Sequence, residues 1–384
     1  MGGEGLLTVS VLTPFFTPAF RGGGPIRTIE ALLSEHSNSH RFTIFSSDLD
    51  LGIVQPLNVP TDRFLERDTH KMFYIHWNSL SSRVAAIRRI REEESEFLYL
   101  NSFFSFWFSI LPLILCRVGV LHPKTVVIAP RGEFGAGALR TSHVRKSIFV
   151  RVSRLLGLYA GVHWHASSET EREEIQAVFP LAKVSIRPNE VSLPLEAMPP
   201  ISSPDANLHA VYIGRLSAKK GLDIALEALT NVRSNVRFDI YGEFEDRAYK
   251  SRVLSIVEAL PDNVVVAFHG ALEHSLVRQT FAGGDVFFFP TLHENFGHTI
   301  AESLSASCPV VIPDTTPFTQ VVRSGGGLIV NSNSKSSWVE AIERFAGLTP
   351  HERSQRRNAA GKAYADWRAG RLAPSIFEMI DVSP

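Results

Sequence analysis

The sequence predicts an α/β protein of two Rossmann-like, doubly wound domains, each a parallel sheet with helices on both faces. Three observations lead there. The chain has 384 residues, too many for one domain of average size. Short apolar runs of strand length alternate with longer helical runs along both halves, which is the pattern of βα units. Between Glu190 and Asn207 that alternation gives way to a Pro- and Ser-rich stretch with Pro194, Pro199, Pro200 and Pro204, the composition of a linker.

In the first half, Val9–Leu12, Arg41–Phe45, Phe73–Ile75, Phe97–Leu100 and Val126–Ala129 read as strands, and Val162–Ala166 and Val184–Ile186 close the series. Helices are predicted over Ile26–Leu33, Ser82–Ile90 and Val144–Gly157. The second half places strands near Val211, Phe238, Val265, Phe287, Val310 and Ile329, with helices between them. The expected division is residues 1–190, a linker over 191–207, a second domain over 208–362, and a tail over 363–384. Phe97 to Cys116 is 20 residues without a charge, long enough to cross a bilayer. Asn101, Ser102, Ser105, Ser109 and Pro112 interrupt it, so a strand followed by a buried helix from about Ser105 is the better reading.

Hydrophobic content of 44% and charged content of 20% describe a core-forming protein. Lys+Arg and Asp+Glu both total 39, so net charge gives no basis for nucleic-acid binding. Cys116 and Cys308 sit in apolar sequence and read as small buried residues, neither a disulfide framework nor a metal site. The first residues lack a signal-peptide pattern, which makes a reducing cytoplasm the expected compartment. No strongly basic amphipathic helix stands out in the sequence; peripheral membrane contact is left open.

Chemistry concentrates in two segments of the second half. Asp285–Pro290 is an apolar strand closed by proline, and Glu294-Asn295-Phe296-Gly297-His298-Thr299-Ile300-Ala301-Glu302 follows at a helix start. Strand, turn and helix N-terminus in that order make an anion site, because first-turn amides have no helical partner. The two acids are a little over two turns apart and share one side of the element. In the second segment, the strand His209–Gly214 runs into Arg215-Leu216-Ser217-Ala218-Lys219-Lys220-Gly221 and a helix from Leu222 to Leu229. Arg215 and Lys220 set two cations beside a helix start, which suits the closely spaced oxygens of a diphosphate. Lys219 reads as their solvated neighbour.

The stretch from Glu294 to Glu302, with Pro290 before it and Cys308-Pro309-Val310-Val311-Ile312-Pro313 after it, resembles the E-x7-E motif of retaining glycosyltransferases of family 4 (glycosyl transferases group 1), which have the GT-B fold. Gly214, Arg215, Lys220 and Gly221 match that family's G-R-x4-K-G donor loop. The resemblance covers nearly the whole chain. It implies two Rossmann-like domains facing across a cleft, with the tail Ala363–Ile380 helical and packed back on the first. It also implies a nucleotide diphosphate sugar as donor substrate, with Arg215 and Lys220 on the diphosphate, Glu294 on the sugar and Glu302 on the ribose hydroxyls. Asn295, Phe296, Gly297, His298 and Thr299 form the donor-side turn, where Asn295 replaces a frequent glycine but tolerates the left-handed conformation.

The first βα turn, Pro14 to Pro25, is rich in glycine and lies at a strand's carboxyl end, where ligands meet parallel sheets. Its spacing fits neither a dinucleotide fingerprint nor a Walker A motif. It resembles the family's N-terminal glycine loop, with Gly23 and Gly24 as the phosphate-facing residues. Ala129-Pro130-Arg131-Gly132-Glu133 lies at another carboxyl end, where relatives have a sugar-contacting histidine. Arg131 as a ligand for donor or anionic acceptor, oriented by Glu133, competes there with a structural salt bridge. Asp48 and Asp50 read as loop-capping acids, His163 and His165 as core or cleft histidines, and Ser167-Ser168-Glu169 as a helix cap.

The activity implied is retaining transfer of a sugar to a hydroxyl acceptor, in polysaccharide or glycolipid synthesis. The acceptor would be a saccharide or lipid-linked saccharide, with no cofactor and no metal ion. The setting would be the cytoplasm or the inner face of its membrane. A nucleotide-sugar epimerase of the same fold and a non-catalytic glycosyltransferase subunit are the rival readings.

Overall fold

The computed structural model describes residues 6–134, 143–201, 207–294, 296–370 and 374–381. It has two compact units: Met1–Ser192 with Ala373–Pro384, and Leu193–Leu372. Of the predicted linker, residues 202–206 lie outside the described residues.

The first unit holds eight strands: β1 (Leu7–Leu12), β2 (His40–Ser47), β3 (Phe64–Glu66), β4 (Lys71–Ile75), β5 (Phe97–Leu100), β6 (Thr125–Ile128), β7 (His163–Ala166) and β8 (Lys183–Ile186). Their spatial order is β3-β4-β2-β1-β5-β6-β7-β8, so the direction of winding reverses between β1 and β5. All neighbours are parallel except β3 with β4. The edge strand β3 was not predicted; three residues are too few for a two-residue period to register. The inner strands are apolar on both sides because both faces are covered. In β5, Phe97 and Tyr99 enter one core cluster while Leu98 and Leu100 enter the other. Phe377, in the terminal helix Ile376–Asp381, completes the first cluster by packing on Phe42, Phe97 and Tyr99.

The uncharged run after Phe97 divides as expected into strand and helix. Its helical part is a π-helical turn, Phe106–Ile110, continued by an α-helix, Leu111–Arg117. Among the described residues no helix is long and apolar enough to cross a membrane.

A polar chain threads this unit. Arg131 donates to the Tyr99 hydroxyl (2.6 Å), Tyr99 bonds His165 Nδ1 (2.7 Å), and His165 Nε2 reaches the Arg187 carbonyl (2.7 Å). Every donor and acceptor is matched when His165 is neutral, with its proton on Nε2 and the Tyr99 hydroxyl donating to Nδ1. Burial, helped by the charge of Arg131, pushes its pKa down to about 3. An unfolded histidine takes up its proton near pH 6.5. Below that pH the unfolded chain binds a proton that the folded chain refuses, so stability must fall as pH falls from 6.5 towards 3. Urea midpoints should therefore drop between pH 7 and pH 5, and less steeply in His165→Gln. The remaining drop belongs to histidines such as His36, His40 and His70, which burial also holds below their ordinary value. An equal slope in wild type and variant would remove His165 from this account.

The second unit has six parallel strands: β9 (Leu208–Ile213), β10 (Val236–Tyr241), β11 (Val264–Gly270), β12 (Val286–Phe288), β13 (Val310–Pro313) and β14 (Gly327–Val330). Their order is β11-β10-β9-β12-β13-β14, the Rossmann order, with its switch point between β9 and β12. The long helix Pro350–Ala369 begins with a capping box of Thr349 and Glu352. It is pinned under the sheet by Arg353, which pairs with Asp285 (3.2 Å), and by Arg357, which donates to the Ala282 carbonyl (2.6 Å). Asp285 also accepts the His209 amide (3.0 Å), tying the start of β9 to that of β12. Trp367 belongs to this unit and packs against Phe318.

Candidate functional site

A ligand crevice in a doubly wound sheet lies beyond the carboxyl ends of the strands where the order reverses. In the second unit those ends are Ile213 of β9 and Phe288 of β12, and both predicted motifs start there. The loop after β9 tightens into a short 3-10 turn, Ala218–Lys220, and then Gly221 opens the helix Leu222–Leu229. Gly221 has φ +68°, and a Cβ on it would stand 2.1 Å from the Pro290 carbonyl oxygen. Only glycine permits that approach. The Leu292 amide then donates to the Lys219 carbonyl (2.9 Å), locking the two loops together.

The outcome is an ion pair: Lys220 Nζ lies 2.5 Å from Glu294 Oε2, and each side chain is only 15% exposed. Burial opposes the charge on Glu294, but the attraction and hydrogen bond of Lys220 prevail and hold its pKa below the ordinary carboxylate value. Lys220 also sits over the Phe289 ring (5.2 Å). An ammonium has three N–H donors, so one bond to Glu294 is compatible with others to an incoming anion. Arg215 stands exposed on the same loop and pairs with Glu245 at 3.3 Å. That rim contact is solvated and weak, and the guanidinium can exchange it for a better anion.

Beyond Glu294 the turn closes on the helix His298–Ser305. Asn295 lies outside the described residues. Phe296 is buried and packs on His298 and Phe318, so it anchors the turn from the interior. Gly297 caps the helix with φ +92°, and a Cβ there would press on Ile300 and Phe318 (3.0 and 3.1 Å). The amides of His298 and Thr299 open the helix at this turn. Glu302 is 3% exposed and receives a hydrogen bond from His274 Nε2 at 3.1 Å. His274, the first residue of the helix His274–Gly283, was missed in the sequence. It stands 28 positions before Glu302, and no motif links the two.

In the first unit the switch point lies between β1 and β5, and the glycine loop follows β1. Gly23 is the N-cap (φ +65°) and Gly24 the first residue of the helix Gly24–His36. Asp50 holds this loop in place by accepting the amides of Phe20 and Arg21 at 3.1 Å each. Asp48 accepts the Trp77 amide (2.9 Å) and bonds His76 Nδ1 (2.8 Å). Both acids thus serve loops, as their positions suggest.

Arg131 has φ +54° and directs its guanidinium to Asn101 (2.8 Å), Tyr99 (2.6 Å) and Asn189. This joins the ends of β5 and β6 to the last residues of the unit. Glu133 accepts from Ser102 Oγ and from the amides of Phe103 and Phe104 (2.7–2.9 Å), and so fixes the loop after β5. Ser168 caps the helix Glu169–Val178, accepting the Glu171 amide. Among the described residues no group of three or more His, Cys, Asp or Glu is placed to hold a metal ion.

Two units of doubly wound parallel sheet, each with ligand loops at its switch point, define a GT-B protein. Anabaena HepE in complex with UDP and glucose has the same fold: TM-score 0.68 at 14% identity, covering 95% of each chain. Residues 196–362 match the model of the family described as glycosyl transferases group 1. The matched residues lie within the second unit. The chain is 26% identical over 260 residues to GDP-mannose:cellobiosyl-diphosphopolyprenol alpha-mannosyltransferase of Xanthomonas oryzae pv. oryzae, covering 65% of this chain and 66% of that protein. Over 171 residues it is 27% identical to sulfoquinovosyl transferase SQD2 of Arabidopsis thaliana, covering 41% of this chain and 31% of that protein. The match thus spans just under two thirds of the first relative and about a third of the second.

Proposed function

We propose that the protein is a retaining glycosyltransferase that moves a hexosyl group from a nucleoside diphosphate sugar to a hydroxyl acceptor. The observation that carries this reading is the Lys220–Glu294 pair at the switch point of the second unit. A departing diphosphate gains negative charge as the glycosidic bond breaks. Lys220, Arg215 and the amides of His298 and Thr299 stand ready to meet that charge, and Glu294 to orient the sugar hydroxyls. Removing one preorganised group of this kind costs roughly 3 kcal/mol of barrier. A helix terminus contributes about 1 kcal/mol, so the two cations dominate. In this reading Glu302 holds the ribose hydroxyls, while Gly23 and Gly24 allow close backbone approach to a ligand and Arg131 shapes the acceptor side. The protein's own cations neutralise the diphosphate, and turnover should survive EDTA.

The relative that acts on a cellobiosyl-diphosphopolyprenol supports a lipid-linked saccharide as acceptor, in polysaccharide or glycolipid assembly. The test is to supply UDP-, GDP-, ADP- and dTDP-sugars with saccharide and polyprenyl-linked acceptors and to read the new linkage by NMR. A product anomer matching the donor is expected. An inverted anomer would contradict the mechanism, and donor conversion without acceptor would point to an epimerase.

His274 positions Glu302 in this scheme. Its hydrogen bond is charge-assisted but half exposed, worth about 1 kcal/mol. His274→Ala should raise the donor KM about three- to tenfold with kcat nearly unchanged, and His274→Gln should recover part of the loss. An unchanged donor KM in His274→Ala would refute that role.

A further inference from the structure

We propose that the exposed face of the helix His143–Leu155, extended by Leu156 and by Ile114 and Val118 beside it, docks on an anionic lipid bilayer surface. The sequence does not mark this helix as amphipathic and basic, because its apolar residues fall on both sides. Exposure separates them. Phe149 turns inward and packs on Phe103 and Phe104, and Val150 joins the same core. Ile148, Val152, Leu155 and Leu156 stay outside, with Leu155 82% and Leu156 76% exposed. At helical spacing Ile148, Val152 and Leu155 share one face, and the exposed Arg151 and Arg154 flank it on one side.

The patch does not stop at the helix. Arg117 donates to the carbonyls of Leu158 (3.2 Å) and Ala160. This sets the end of the helix Leu111–Arg117, with exposed Ile114 and Val118, against the turn that follows Leu155. Large exposed apolar side chains gathered in one place mark a docking surface, whereas scattered ones do not.

Charge selects the occupant. The chain as a whole is neutral, yet between Glu96 and Glu169 its only acid is Glu133. The Glu133 carboxylate is turned to Ser102 and the amides of Phe103 and Phe104. Of the cations in the same stretch, Arg117, Lys124, Arg151 and Arg154 are exposed. An apolar ridge flanked by the exposed Arg151 and Arg154 is the chemistry of a helix that lies in the headgroup layer of anionic lipid. A symmetric contact with a second copy would set these cations against one another.

The experiment is flotation of the full-length protein with vesicles of phosphatidylcholine alone or mixed with phosphatidylglycerol. It needs neither donor nor turnover, so its outcome is independent of the proposed chemistry. Wild type should float with the mixed vesicles, about tenfold less with phosphatidylcholine, and less at high salt. Val152→Ser/Leu155→Ser/Leu156→Ser should lose binding to both, and Arg151→Gln/Arg154→Gln only the preference for anionic lipid. Circular dichroism and Tm confirm that both variants are folded. No flotation of wild type, or equal flotation of wild type and the apolar variant, would overturn the proposal. So would a wild-type dimer, seen by light scattering, that the apolar variant dissociates.

Discussion

Lys220→Met is expected to lower kcat by about 10²- to 10³-fold while leaving the protein folded and its Tm within a few degrees of wild type. The first half follows from the role of the ammonium, whose interaction strengthens as the diphosphate leaves. The second follows from its place in an end-of-strand loop that Gly221 and the Leu292–Lys219 hydrogen bond hold independently of the side chain. A further signature separates this from general damage. Glu294 is mostly buried, and the Lys220 charge is what keeps it below its ordinary pKa. Without Lys220 burial acts with far less opposition, so the acid limb of the rate profile should move to higher pH. A variant with normal kcat, or one that loses activity only by unfolding, would contradict the assignment.

The largest loss of stability is expected far from this site, at Arg353. Arg353 and Asp285 are both nearly inaccessible and 3.2 Å apart. Removing one partner of a buried pair strands the other charge, at a cost of about 3–5 kcal/mol. The Asp285 carboxylate would keep the His209 amide but lose its cation. For a unit of this size Arg353→Ala should lower Tm by roughly 10 °C. Arg353→Lys, which keeps the charge but loses the fork of donors, should fall between. A Tm within 2 °C of wild type in Arg353→Ala would show that the Arg353–Asp285 pair does not hold the long helix in place.

Much of this architecture is legible in the residues. Strands buried on both faces leave uninterrupted apolar runs, so Phe97–Leu100 is predicted to the residue and the other inner strands to within a few. The short edge strand Phe64–Glu66 has no room to show a period and escapes notice. The Lys220–Glu294 pair joins residues 74 apart, and each motif alone marks only its own half. What brings them together is a backbone approach, Gly221 against Pro290, that the sequence hints at only through one glycine. The His274–Glu302 bond has no sequence signal, because a histidine at a helix start is an ordinary occurrence. For Arg131 the sequence left a ligand and a structural contact equally open. The fold surrounds it with Asn101, Tyr99 and Asn189, which ties it first to the frame of its own unit. The basic docking face shows the same limit: composition reports charge along the chain, while only packing decides that Phe149 turns inward and Leu155 outward.

The most direct test of the central claim is donor binding, read as the thermal shift produced by UDP-, GDP-, ADP- and dTDP-sugars on wild type and on Lys220→Met. A ligand that binds the native state raises Tm in proportion to its occupancy. One donor class should stabilise wild type, and the shift should vanish or shrink sharply in the variant. An equal shift in both proteins would move the diphosphate away from Lys220 and Glu294. No shift with any donor in folded wild type would mean that these loops do not form a nucleotide-sugar site.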